Sequence, residues 1–100
     1  MSFEDEVTRA LDALPPELAA KLENVAVVVE DENPDEPDLL GLYEGGGDYM
    51  PDKVTIYRIP LEADFPNPEE LRRQIRITVL HEVGHYFGMD EDRLGRLGYE

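Results

Sequence analysis

His81-Glu82-Val83-Gly84-His85-Tyr86-Phe87-Gly88 holds both of the chain's 2 histidines, and the fold is read outward from it. Residues four apart share one face of an α-helix, so His81 and His85 can close on a single metal ion. Glu82 stands about 100° further round the helix, beside such an ion rather than on it. A carboxylate in that position can take a proton from a water held by the metal. The pattern HExxH, with a glycine three residues later, is therefore read as a metal helix carrying its own base. The plainer alternative is two solvent-facing imidazoles on a charged helix, which leaves the placing of Glu82 unexplained.

Upstream, Asn67-Pro68-Glu69-Glu70 announces the start of this helix. Asn is a favoured N-cap, Pro suits the first helical position, and Glu70 at the third can return toward the cap. The helix is expected to run to about Phe87 and stop at Gly88. Leu71, Ile75, Thr78, Val79 and Val83 give it a buried stripe. Residues 59–66, with Pro60 and Pro66, read as a linking loop. Lys53–Arg58 alternates Val54, Ile56 and Arg58 against Thr55 and Tyr57, a strand pattern. Gly45-Gly46-Gly47 is a turn, and Leu39–Glu44 a short strand. Residues 30–38 are an acidic loop whose carboxylate spacing fits no EF-hand. Val25-Ala26-Val27-Val28-Val29 is a continuous apolar run, predicting a strand buried on both faces. Phe3, Val7, Ala10, Leu11 and Leu14 form a helical stripe after Ser2 as N-cap, and Pro16 to about Leu22 a second short helix. Helices at each end and strands between them predict an α+β fold, with helices against one sheet of three or four strands.

A length of 100 residues predicts one domain, spanning 1–100, with a single core. A net charge of −15 argues against nucleic acid or an anionic membrane as partner. Lys21 and Lys53 are the only lysines, so no basic cluster is expected within the acidic total. The acidity suits solubility, an attraction for cationic peptides, or adaptation to salt. With 0 cysteines there is no disulfide, thiolate ligand or thiol nucleophile. The N-terminus is acidic and lacks the pattern of a signal peptide, and Val25–Val29 is too short to span a bilayer. The expected location is the cytoplasm.

Four blocks together resemble the minimal bacterial zincin-like metallopeptidases. They are Glu23–Glu30, Leu40–Gly45, Lys53–Arg58, and His81–His85 with Gly88, Asp90, Glu91, Asp92, Arg93 and Leu94. The resemblance implies a zincin-like fold, a small mixed sheet packed against a backing helix and the HExxH helix. It also implies one catalytic zinc ion, with His81 and His85 as ligands and Glu82 as general base. Catalytic zinc has three protein ligands and one open position. In the longer pattern HExxHxxGxxH the third ligand lies ten residues after the first histidine, which here is Glu91. Asp90 and Asp92 compete with it for that role. Gly88 would allow the chain to reverse toward the metal. Arg93 is expected to pair with a nearby carboxylate.

The function so implied is hydrolysis of peptide bonds through a metal-activated water. Leu42–Glu44 is the candidate edge strand for an extended substrate. Tyr43, Tyr49, Tyr57 and Tyr99 are candidates for stabilising the oxyanion. Only Met89–Glu100 follows Gly88 in this sequence, so the lower wall of the cleft is expected to be thin or to come from another chain, and the substrates to be short, unfolded or extended peptides. A non-catalytic metal-binding or interaction protein on the same scaffold is the alternative, and would function with Gln in place of Glu82. A structural zinc site would need two carboxylates beside the two histidines, an unusual set. The oligomeric state is not encoded in any motif.

Overall fold

The structure of the protein, a computed structural model, describes residues 2–14, 16–22 and 24–87, without the side chains of residues 17, 18 and 21. Helix α1, Phe3–Asp12, begins at a capping box. The Ser2 hydroxyl accepts the Asp5 amide and the Asp5 carboxylate accepts the Ser2 amide, an arrangement that contributes about 1 kcal/mol. Phe3, Val7 and Ala10 fall on one face and are buried. Helix α2, Pro16–Lys21, follows directly.

Among the described residues three strands form one mixed sheet. They are β1, Val25–Glu30, β2, Gly41–Glu44, and β3, Asp52–Tyr57. Their spatial order is β1-β3-β2. β1 runs parallel to β3, with Val27 opposite Val54 and Val29 opposite Ile56. β2 runs antiparallel to β3, with Gly41 opposite Ile56 and Tyr43 opposite Val54. The last strand in sequence is thus inserted between the first two. This corrects the expectation for the valine run. β1 is an edge strand and only half-buried, whereas Val54, Thr55, Ile56 and Tyr57 of the central β3 are buried on both faces.

Helix α3, Arg58–Asp64, occupies much of the stretch expected as a loop. Pro60 is its third residue, in the first turn, where a missing N–H breaks no helical bond. Leu61 of this helix is fully buried. Arg58 donates to Glu62 at 2.6 Å and to Asp31 at 2.9 Å, tying the acidic loop to the start of α3. The two carboxylates, Asp31 first, hold the guanidinium's pKa above its ordinary value.

Helix α4, Pro68–Tyr86, is the 19-residue backbone of the molecule. The Asn67 side chain caps it by accepting the amides of Glu69 and Glu70, as its sequence predicts. The Glu70 carboxylate takes hydrogen bonds from Gln74 and Arg73, which hold its pKa below the usual range. One face of α4 lies against β2 and β3, and α1 packs along it. Ile75, Val79 and Val83 meet Val54, Ile56 and Leu61 in the core, joined by Phe3, Val7, Ala10 and Leu14 of the N-terminal segment. Each fully buried aliphatic side chain of this kind contributes about 1.5–3 kcal/mol. Among the described residues no helix is long and apolar enough to cross a membrane.

Candidate metal centre

The last two turns of α4 carry His81, Glu82 and His85. Thr78, Val79, Glu82 and Val83 are turned inward and buried, while the two histidines are half-buried at the side of that face. The helical spacing brings their rings edge to face, with centroids 4.7 Å apart at 78°. Their Nε2 atoms stand 3.1 Å apart. Two imidazoles on one tetrahedral zinc ion, at about 2.0–2.1 Å each, would hold their nitrogens about 3.3 Å apart. The donor set thus fits a single ion with only a slight opening of the pair. Ligand atoms of His81, Glu82 and His85 all lie within 4.8 Å of one another.

Glu82 is only 8% exposed, and the backbone of β2 explains its position. A Cβ at Gly41 would stand 2.9 Å from Thr78 Cγ2 and 3.0 Å from Glu82 Cγ. Only glycine lets the strand come this close to the helix. The Thr78 hydroxyl donates to the Gln74 carbonyl at 2.7 Å, which fixes the side chain against which Gly41 rests. A groove of about 590 Å³ opens beside the centre. Leu39, Leu40 and Leu42 form one wall, and Ile77, His81 and Glu82 the other. β2 is an edge strand of the sheet, so the segment that borders this groove also carries the sheet's outer edge.

A second set of contacts lies at the turn between β2 and β3. The Tyr43 hydroxyl donates to Asp52 Oδ2 at 2.7 Å, and the Gly46 amide donates to Asp52 Oδ1 at 2.9 Å. The Gly46 amide first, then Tyr43, lowers the pKa of the Asp52 carboxyl. The same bond to Asp52 raises that of the Tyr43 phenol. A side chain at Gly46 would collide with the carbonyls of Met50 and Pro51, so the turn closes on a bare backbone. The Tyr43 ring meets Tyr86, the residue after His85, at 6.1 Å and edge-on.

Of the tyrosines considered for the oxyanion, Tyr43 has its hydroxyl committed to Asp52. Tyr57 is buried, its hydroxyl accepting from Asn33 at 2.9 Å, and Tyr49 is 98% exposed. Tyr99 lies outside the described residues, as do Gly88, Asp90, Glu91, Asp92 and Arg93. Sequence reasoning passed over Gly41 as a packing residue, gave Tyr86 no role, and did not name Asp52. Tyr86 fills a variable position of the HExxHxxG stretch, and Asp52 carries no motif. Gly41 stood in a quoted block, but its contact with Glu82 depends on a helix distant in sequence.

A family model described as zincin-like metallopeptidase matches residues 22–99, a span that takes in the sheet, α3, α4 and the HExxH segment. No curated protein matches the chain.

Proposed function

The chain belongs to the zincin-like metallopeptidase family, and from that premise we propose that it is a zinc-dependent peptidase. His81 and His85 would hold the ion through Nε2, with Glu91 as the third ligand. When bound, zinc supplies a Lewis acid that polarises a peptide carbonyl and makes water a nucleophile near neutral pH. Glu82 takes the proton of the attacking water on its carboxylate and passes it to the leaving amine. Gly41 backs the side-chain stem of that carboxylate closely, since a Cβ there would stand 3.0 Å from Glu82 Cγ. An extended peptide would add to the free edge of β2 by backbone hydrogen bonds, with a side chain in the groove lined by Leu42 and Ile77.

One observation above the others supports this reading. The two Nε2 atoms converge to 3.1 Å on the same helical turn that presents Glu82 to a groove. The test is cleavage of a peptide library by the zinc-loaded protein and by Glu82→Gln, with bound zinc counted in both. Cleavage by the wild type should disappear in the variant while zinc stays bound. Removing a general base costs about 10²–10⁴-fold. Zinc held by both chains with no peptide cut by either would overturn the peptidase and leave a metal-binding or interaction protein on the same scaffold.

A further inference from the structure

Where α4 meets α1 the composition of this chain is reversed. Arg72, Arg73 and Arg76 of α4 and Arg9 of α1 line one groove of about 310 Å³ between the two helices. The chain has 9 basic residues against 24 acidic ones, and this groove gathers four of the nine. The expectation that so acidic a chain has no basic cluster is therefore corrected. The cluster is built of arginines: Arg72, Arg73 and Arg76 fall within five residues of α4, and the packing of α1 on α4 adds Arg9.

The grouping is not neutralised from within. Arg73 pairs with Glu70 at 2.8 Å. Among the described residues Arg9, Arg72 and Arg76 make no ion pair within 4 Å. Glu6 also lines the groove, and its Oε1 is buried without a hydrogen-bond partner among the described residues. Arg72 and Arg76 are one helical turn apart, a like-charge spacing that works against the helix. Four guanidiniums set against the carboxylates of Glu6 and Glu70 leave an excess of positive charge in a molecule whose net charge is −15. That excess has no structural use in the core, because the arginines are exposed.

We propose that the α1–α4 groove is a binding site for a small phosphate-bearing ligand, separate from the metal centre. Guanidinium groups present planar forks of N–H donors that suit phosphate oxygens and stay charged at any physiological pH. Forks arriving from two helices suit a tetrahedral anion, which accepts along several directions. A carboxylate lies in one plane and is satisfied by one or two. The groove's volume limits the ligand to a small molecule or one exposed phosphate group.

The test is titration of inorganic phosphate into the full chain at constant ionic strength. It is followed by calorimetry and by the NMR signals of the arginine Nε–H groups. Saturable binding is expected, with the signals of Arg9, Arg72 and Arg76 moving and the histidine ring signals unmoved. Arg72→Gln with Arg76→Gln should weaken binding at least tenfold while the circular dichroism spectrum is kept. Arg76→Lys, which keeps the charge but loses the fork, should weaken it by less. Succinate is the carboxylate probe and should bind at least tenfold less tightly than phosphate. Absence of saturable binding, binding unchanged in the double variant, shifts confined to the histidines, or succinate bound as tightly as phosphate would each overturn the proposal.

Discussion

At Gly41 a single hydrogen in place of a methyl group sets the distance between strand and helix. Alanine there would press its Cβ on Thr78 Cγ2 at 2.9 Å and on Glu82 Cγ at 3.0 Å. Both contacts lie on a helix held by the core, so neither can retreat freely. Overpacking of this kind costs about 1–3 kcal/mol. Gly41→Ala should lower stability by that amount in denaturant unfolding. It should also reduce peptide cleavage more than zinc affinity, since it displaces the Glu82 stem and leaves the histidines alone. A variant as stable and as active as the wild type would contradict this account of Glu82. The histidines were legible in the sequence because their spacing is itself the helical period. Gly41 was not, because the reason for it is a side chain elsewhere in the chain. Glu91, Asp90 and Asp92 were proposed as ligands from the sequence and lie outside the described residues.

Among the elements, the β2–β3 hairpin shows most directly how a strand is held at the site's edge. Asp52 opens β3 and binds both Tyr43 and the Gly46 amide, joining the two strands and their turn. Its folded-state pKa is depressed, chiefly by the Gly46 amide. The stability it contributes is therefore present above the ordinary aspartate value and is lost as pH falls through the lower, folded-state value. Asp52→Asn should unfold at lower denaturant than the wild type at neutral pH, with the gap closing in strong acid. A gap that stays constant with pH would show that the carboxylate's charge is not what the hairpin uses.

The same scale shows what periodicity reads well and what it misses. Helix α4 was legible from Asn67 to Phe87 because cap, proline and apolar stripe agree. The run Val25–Val29 was placed as a strand, but hydropathy alone cannot tell an edge strand covered on one side from a central one. Helix α3 was missed because Pro60 and Pro66 were read as breaks. Pro60 sits in the first turn of the helix, where proline is tolerated. The three-stranded sheet lies within the expected range, and its order β1-β3-β2 has no local sequence mark.

For the whole molecule, an α+β scaffold of the zincin-like family presents two chemically opposite faces of one helix. Toward the sheet, α4 offers two imidazoles and a carboxylate beside an apolar groove. Where they meet, α4 and α1 offer guanidiniums in a chain of strong negative charge. Composition revealed only the net charge; the local run Arg72-Arg73 with Arg76 was passed over, and Arg9 joins it through the packing of α1 on α4. A metal ion held by His81 and His85 would also bear on the fold as a whole. An ion that binds only the folded chain adds about 2.7 kcal/mol at a free concentration one hundred times its Kd.

The most direct test of the metal centre is titration of the metal-free chain with zinc, beside His81→Ala and His85→Ala. Affinity and the midpoint of thermal unfolding would be followed together. The wild type should take up one ion per chain with a rise in midpoint. Each variant, left with a single imidazole, should lose most of both. Zinc bound as tightly and stabilising as much in either variant as in the wild type would contradict a centre built on the His81–His85 pair.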